Sequence, residues 1–409
     1  MFLQVVLLLI SLCLTQARPG FGPGDQEWGY ITVHPNRHMF YWLHYTTADP
    51  VYTDRPLLIW LQGGPASSAA GEGNILNSGL VDMNLNIRNY SYVNKANVLY
   101  VDSPVGAGYS YVDIKAGGTF APSCDDVTKD FIEFLEGFLQ RHSEFKSVPL
   151  YLLGESYGGK FAAIFGERLL HKIHDGKIEA NFKGVGLAYP AIDHASYCHN
   201  IGEYLYHSGI VDQTGLDQIN HKANKILEAT NESNWEVGNA LMEDLLGYMM
   251  ETYQLPIFSI PGLQSNTEEY PEDFYSFMDT TISPLLNLTV AFGEQRGLAA
   301  EAILDKMKAA HSSVEYLLDQ NLQVFIYNGQ LDWLVTTMST SSWVDKLNWH
   351  DARKWPTSKR TAFYVDGIHE GHEKHCDNLE FYWIKRAGHR LPDHNPKAMD
   401  YILTRLIGY

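Results

Sequence analysis

Apolar residues fall along this chain in two kinds of pattern. Residues 30–33 and 38–44 alternate apolar with polar positions on either side of Pro35-Asn36, which predicts an antiparallel hairpin. Further on, residues 56–61, 97–101, 150–153, 183–188 and 324–327 are nearly continuous in branched aliphatic and aromatic side chains, as strands buried on both faces require. Residues 361–365 and 379–384 extend the set. Between them lie helical patterns. In 126–140, Val127, Phe131, Phe134, Leu135 and Phe138 share one face, with Ser123 placed as the cap and Asp126 three residues on. Residues 160–173 form the next. Strands alternating with helices predict a mostly parallel α/β sheet flanked by helices.

That rhythm breaks over residues 196–315. Helices are expected at 218–229, 238–252 and 298–318, with a Pro/Ser-rich stretch near 255–271 and little strand signal. We read this as a helical cap inserted between two halves of one core, 18–195 and 316–409; a separate helical domain is the alternative.

Residues 1–17, MFLQVVLLLISLCLTQA, have an apolar run ending at Leu14 and small residues at the cleavage spacing. They read as a signal peptide, and no later stretch reaches the ~18 apolar residues of a membrane helix. The expectation is a chain in the secretory pathway, secreted or lysosomal, without a membrane span. Sequons at Asn89, Asn231 and Asn287 fit glycosylation there. Beyond Cys13, only Cys124, Cys198 and Cys376 remain, so at most one internal disulfide is possible and the core must supply its own stability.

At 409 residues, 45% apolar and 19% charged, the composition is that of a globular protein. Its net charge of −18 argues against nucleic acid or anionic membrane as partners. Seventeen histidines would offset much of that charge in a mildly acidic compartment.

Chemistry enters on one turn. Leu150-Tyr-Leu-Leu-Gly154-Glu-Ser156-Tyr-Gly158-Gly-Lys160 has the Gly-x-Ser-x-Gly of a nucleophile elbow, with an apolar strand before it and a helix after. Ser156 would stand at the C-terminal edge of the sheet, at a helix N-terminus whose partial positive charge favours an oxyanion. An acid and a base should follow in chain order. Asp332, in the turn after 324–327, is one candidate acid and Asp366 a rival. His389 is the candidate base, with His369, His372, His375 and His394 as rivals. Gln62-Gly63-Gly64 follows a buried strand, and its glycines would let a substrate carbonyl approach the backbone. His369-Glu-Gly-His372-Glu-Lys-His375-Cys376 lacks zinc-helix spacing and is read as a solvated loop, so no metal is expected. No phosphate loop or dinucleotide fingerprint is present, and no cofactor is implied.

The runs WLQGGP (60–65), YVDSPVGAGY (100–109), GESYGGK (154–160), YNGQLD (327–332) and AGHRLP (387–392) resemble the serine carboxypeptidase family, an α/β-hydrolase branch, and within it the retinoid-inducible group. The cap matches only loosely. The resemblance implies an α/β-hydrolase fold and removal of single residues from peptide or protein C-termini at acid pH; the chain is expected to be a monomer or homodimer. Carried over by position, Ser156 is the nucleophile, His389 the base and Asp332 its orienter. Gly64 and Tyr157 would supply the oxyanion hole, and Gln62, Gly63 and Glu155 would hold the substrate's terminal carboxylate. The chain departs from the family pattern at Asn77, where an acidic residue is usual, at Leu80, and at Arg390, where an apolar residue usually follows the histidine. An acyltransferase or esterase of the same fold, or a catalytically weak binding protein, are the alternatives.

Overall fold

The computed structural model describes residues 20–49, 51–256 and 271–408. Residues 1–17, read above as a signal peptide, and most of the Pro/Ser-rich stretch lie outside them. The chain opens with the antiparallel pair β1 (Gln26–His34) and β2 (Arg37–His44), somewhat longer than the alternation alone indicates. The strands β3 (Leu57–Leu61), β4 (Asn97–Val101), β5 (Tyr111–Val112), β6 (Pro149–Glu155), β7 (Asn181–Ala188), β8 (Gln323–Gly329), β9 (Arg360–Val365), β10 (Ile368–Cys376) and β11 (Leu379–Ile384) follow. Among the described residues they make one eleven-stranded sheet in the order β1-β2-β4-β3-β6-β7-β8-β11-β10-β9, with β5 beside β2. From β4 to β11 neighbouring strands are parallel, and both edges are antiparallel.

The apolar runs map onto this centre. Every residue of β3 and β4 is buried, because helices cover both faces of a parallel sheet. Helix α1 (Cys124–Arg141) starts where Ser123 Oγ accepts the Asp126 N–H at 3.1 Å. Helix α2 (Tyr157–His174) stacks on α1 through Phe131 and Phe165, whose ring centres are 4.3 Å apart. Such a pair contributes about 1 kcal/mol beyond area burial.

Between β7 and β8 the described residues contain no strand. Helices α3 (His194–His207), α4 (Gln213–Asn231) and α5 (Trp235–Tyr253) pack in sequence. The long helix expected at 298–318 is instead two, α6 (Arg296–Ala302) and α7 (His311–Asp319). The intervening residues trade helical hydrogen bonds for bonds to core loops: Leu304 N–H to Pro122 O (3.1 Å), Ala310 N–H to Ile192 O (3.0 Å), and Asp305 Oδ1 from Cys124 N–H (2.7 Å). That docking buries Ile303 and Met307.

The histidine-rich run is also a correction. It is not a loop but strand β10, antiparallel between β9 and β11. Its polar side chains are accommodated one strand in from the sheet edge by pairing across it, as His375 does with Glu380 (3.1 Å). No helix among the described residues is long and apolar enough to cross a membrane.

Candidate active site

Strand β6 ends at Glu155, helix α2 begins at Tyr157, and Ser156 between them has φ +58° and ψ −119°. This is a strained backbone for a non-glycine residue, held by its surroundings. Ser156 N–H donates to Ala188 O (2.9 Å), and its carbonyl accepts from Gly159 and Ala191 N–H (3.0 Å each). The flanking glycines have a steric cause. A Cβ at Gly154 would lie 2.0 Å from Gly158 O, and one at Gly158 would lie 2.2 Å from Leu61 O. Strand and helix can approach this closely only without side chains at both positions.

Asp332 lies three residues past the end of β8 and His389 five past the end of β11, so both project from the same sheet edge as Ser156. His389 Nδ1 is 2.7 Å from Asp332 Oδ2, and Asp332 Oδ1 accepts the N–H groups of Leu334 (2.9 Å) and Val335 (3.0 Å). Asp332 is 0% exposed and His389 3%. An imidazole held in this way through Nδ1 presents Nε2 as a proton acceptor. The rivals are elsewhere. Asp366 sits in the β9–β10 turn paired with Lys397 (2.7 Å), and His369, His372 and His375 lie on β10. His394 Nδ1 accepts the Gly388 N–H (3.0 Å), bracing the loop that carries His389.

Sequence reasoning missed Tyr189. Its φ is +32°, its N–H donates to Tyr327 O (2.7 Å), and its ring centre is 4.1 Å from that of His389. The only signal was an aromatic residue just past a buried strand end, which β7 shares with many core strands.

Ser156 and His389 line one cavity of about 410 Å³ together with Gln62, Gly63, Gly64, Glu155 and Tyr157, while Asp332 lies behind His389. Gly63 abuts the elbow: a Cβ there would be 2.8 Å from Ser156 Cβ and 3.2 Å from Tyr157 N. One corner of the cavity is built around Glu155. Gln62 Nε2 donates to Glu155 Oε1 (2.6 Å), Trp60 Nε1 donates to Gln62 Oε1 (2.7 Å) and so fixes the amide's orientation, and Asn77 Nδ2 donates to Glu155 Oε2. Burial raises the Glu155 carboxyl above the usual range, opposed by His389, Gln62 and Arg390. Asn77, on the wide helical coil Ala69–Ser78, thus meets the Glu155 carboxyl with a donor. Arg390 donates to Leu76 O (2.7 Å) and pairs with Asp393 (2.9 Å), with its side chain only 16% exposed. It forms cavity wall rather than reaching into solvent. Leu80 is buried in the core.

Two more acids are buried nearby. Glu72 Oε2 accepts the Ser68 N–H (2.6 Å), and burial pushes the carboxyl up to about 7. Asp102 accepts from Ser68 Oγ (2.7 Å) and the N–H groups of Ala70 and Tyr109 (2.9 Å each), and burial pushes it up to about 6. A raised carboxyl pKa means that the folded chain keeps protons which the unfolded chain releases. Its stabilisation is complete below the ordinary carboxylate range and is lost as pH rises through about 6 and 7. Calorimetry should therefore find a Tm several degrees higher at pH 5 than at pH 7.5, with a smaller difference in Glu72→Gln. A flat or rising Tm would contradict the assignment.

The sequon asparagines Asn89, Asn231 and Asn287 are all exposed. Cys124, Cys198 and Cys376 are free and buried. Among the described residues, His350, Asp351 and Asp377 bring ligand atoms within 4.8 Å of one another. Hydrogen bonding to Asp319 raises the His350 pKa, which favours an imidazolium over a metal ligand.

A parallel sheet carrying a strained serine turn, with a buried acid and histidine at the same edge, is the architecture of an α/β hydrolase. The crystal structure of a prohormone-processing carboxypeptidase from Saccharomyces cerevisiae superposes with a TM-score of 0.80, over 94% of this chain and 91% of that one, at 19% identity. The chain belongs to the serine carboxypeptidase family, whose sequence profile matches residues 19–283 and 290–408. It is 33% identical to retinoid-inducible serine carboxypeptidase of Mus musculus, over 90% of this chain and 88% of the relative. It is 30% identical to serine carboxypeptidase-like 51 of Arabidopsis thaliana, over 96% and 95%.

Proposed function

We propose that this enzyme removes C-terminal residues from peptides and proteins in an acidic compartment of the secretory pathway, through an acyl-enzyme on Ser156. His389 takes the Ser156 proton as Oγ bonds to the scissile carbonyl carbon, and Asp332 holds the imidazole in the accepting tautomer. Backbone N–H groups of Gly64 and Tyr157 stabilise the oxyanion. The C–N bond breaks as His389 returns the proton to the leaving amino acid. Water then attacks the ester by the same route in reverse. Gln62, Gly63 and Glu155 hold the substrate's terminal carboxylate.

The carrying observation is the buried Glu155 carboxyl, gripped by two side-chain amides in the cavity of Ser156. A carboxylate binds a second carboxylate at hydrogen-bond distance only when the pair shares a proton. Hence kcat/KM for blocked dipeptides should fall by about tenfold per pH unit above the range where that shared proton leaves. Substrates with an amidated C-terminus lose less. In Glu155→Gln the alkaline limb of the profile flattens, because the amide donates at every pH. Release of the terminal residue at pH 4.5 and 7.5 tests this, and an unchanged profile in Glu155→Gln would sink it.

A further inference from the structure

Away from the Glu155 corner the cavity wall is largely apolar, with Tyr157, Tyr197, Met242, Leu246 and Trp333 among its lining. The polar tips of the three aromatic rings are already committed. The Tyr157 hydroxyl donates to Lys306 O (3.1 Å), the Tyr197 hydroxyl to Met242 Sδ (2.8 Å) and Trp333 Nε1 to Pro256 O (2.8 Å). Glu243, also in the lining, is exposed and accepts from Asn239 Nδ2 (2.7 Å).

His194 stands in the same wall and is different. It is the first residue of α3 and is 4% exposed. Its ring packs against those of Tyr157 and Tyr197, with centres 5.6 and 5.1 Å away. Its Nδ1 is buried and has no hydrogen-bond partner among the described residues. Burial, reinforced by the Lys160 cation, holds the imidazole well below its usual range, so the ring is neutral. A neutral imidazole carries one donor and one acceptor. Buried polar groups of native proteins are normally paired, so an unpaired one in a cavity wall marks a place where an occupant can supply the partner.

This inference rests on the proposed binding of the terminal carboxylate at Gln62, Gly63 and Glu155. With that end anchored, and the scissile carbonyl between Ser156 Oγ and the Tyr157 N–H, the acyl part of the peptide runs away from residues 62–77 toward Tyr157 and α3. His194 packs on the ring of the residue whose N–H faces the carbonyl. The first side chain on the acyl side, that of the penultimate residue, is therefore the one within its reach. We propose that His194 reads the penultimate side chain of the substrate, and that the enzyme takes an amide or hydroxyl there into a pocket whose other walls are apolar. A carboxylate is disfavoured at that position, because a neutral ring supplies no countercharge.

The test is kcat/KM at pH 5.5 for blocked dipeptides that differ only in the penultimate residue: Gln-Leu, Met-Leu and Glu-Leu. Gln and Met are close in length and shape, and their ratio within one preparation cancels any loss of folded enzyme. We expect the Gln-Leu to Met-Leu ratio to fall about tenfold in His194→Phe, the worth of one hydrogen bond to a buried group. His194→Gln, which keeps a donor and an acceptor, restores part of it. Gln-Leu is cleaved faster than Glu-Leu by the wild type. The leaving position is the control, and there the ratio of Phe-Gln to Phe-Met is the same in the wild type and in His194→Phe. An unchanged Gln-Leu to Met-Leu ratio in His194→Phe, a change at the leaving position instead, or a wild-type preference for Glu-Leu over Gln-Leu overturns the inference and leaves the carboxypeptidase reading standing. If no dipeptide is cleaved, both fall together.

Discussion

Replacing Ser156 by alanine should lower kcat/KM for a blocked dipeptide on the order of 10⁶-fold, the largest effect expected of any single substitution here. In the proposed mechanism the serine oxygen forms and breaks the acyl bond, a role alanine cannot take. The variant should still fold. The contacts that hold the elbow are made by the Ser156 backbone, through its N–H to Ala188 O and its carbonyl to Gly159 and Ala191 N–H. Alanine inherits the same strained φ and no new clash. Residual turnover then reports what the oxyanion-hole N–H groups and substrate binding achieve alone. Steady-state kinetics with circular dichroism as the folding control decides it, and a fluorophosphonate probe should label the wild type and not the variant. Retention of more than about 1% of activity would exclude Ser156 as the nucleophile.

Asp332→Asn comes second, with an expected loss in kcat of about 10⁴-fold and a small change in KM. The geometry says why the isosteric change is so costly. Oδ1 is committed to the Leu334 and Val335 N–H groups, so the new amide nitrogen takes the place of Oδ2 against His389 Nδ1. A donor facing Nδ1 drives the ring proton to Nε2, which then cannot accept from Ser156. The burial of Asp332 also denies water a compensating role. Asp366→Asn, on an exposed turn, should stay within about twofold of wild type. A small effect at Asp332 together with a large one at Asp366 would reverse the assignment.

Local signals were strong where one stretch of chain carries the whole cause. The elbow needs a buried strand, two small residues around a serine and a helix, all within 150–160, and the structure places them so. The hairpin and the central strands were legible for the same reason: period and apolar content follow directly from having one or two buried faces. The histidine-rich β10 was misread because a strand of polar residues looks like a loop until its partners on both sides are known. The helix expected at 298–318 failed because helical spacing cannot register competing bonds from Pro122, Cys124 and Ile192.

The candidate site divides along the same line. From residues alone, position favoured Asp332 over Asp366 and His389 over four rival histidines, without deciding between them. Resemblance to a known family favoured one pair, and the fold brings that pair to 2.7 Å because β8 and β11 are parallel neighbours whose C-terminal ends meet. No local pattern encodes that adjacency. Asn77 gripping Glu155, Tyr189 against His389 and Glu72 behind Arg296 join residues 78, 200 and 224 positions apart. Their chemistry depends on burial and proximity, which exist only once the sheet is assembled. The sequence by itself determined the hairpin, the central strands, the helices of the core and the serine turn, since each follows from interactions between near neighbours. Which acid meets which base, and what the cavity presents to a substrate, was decided by the order in which the sheet sets distant strand ends side by side.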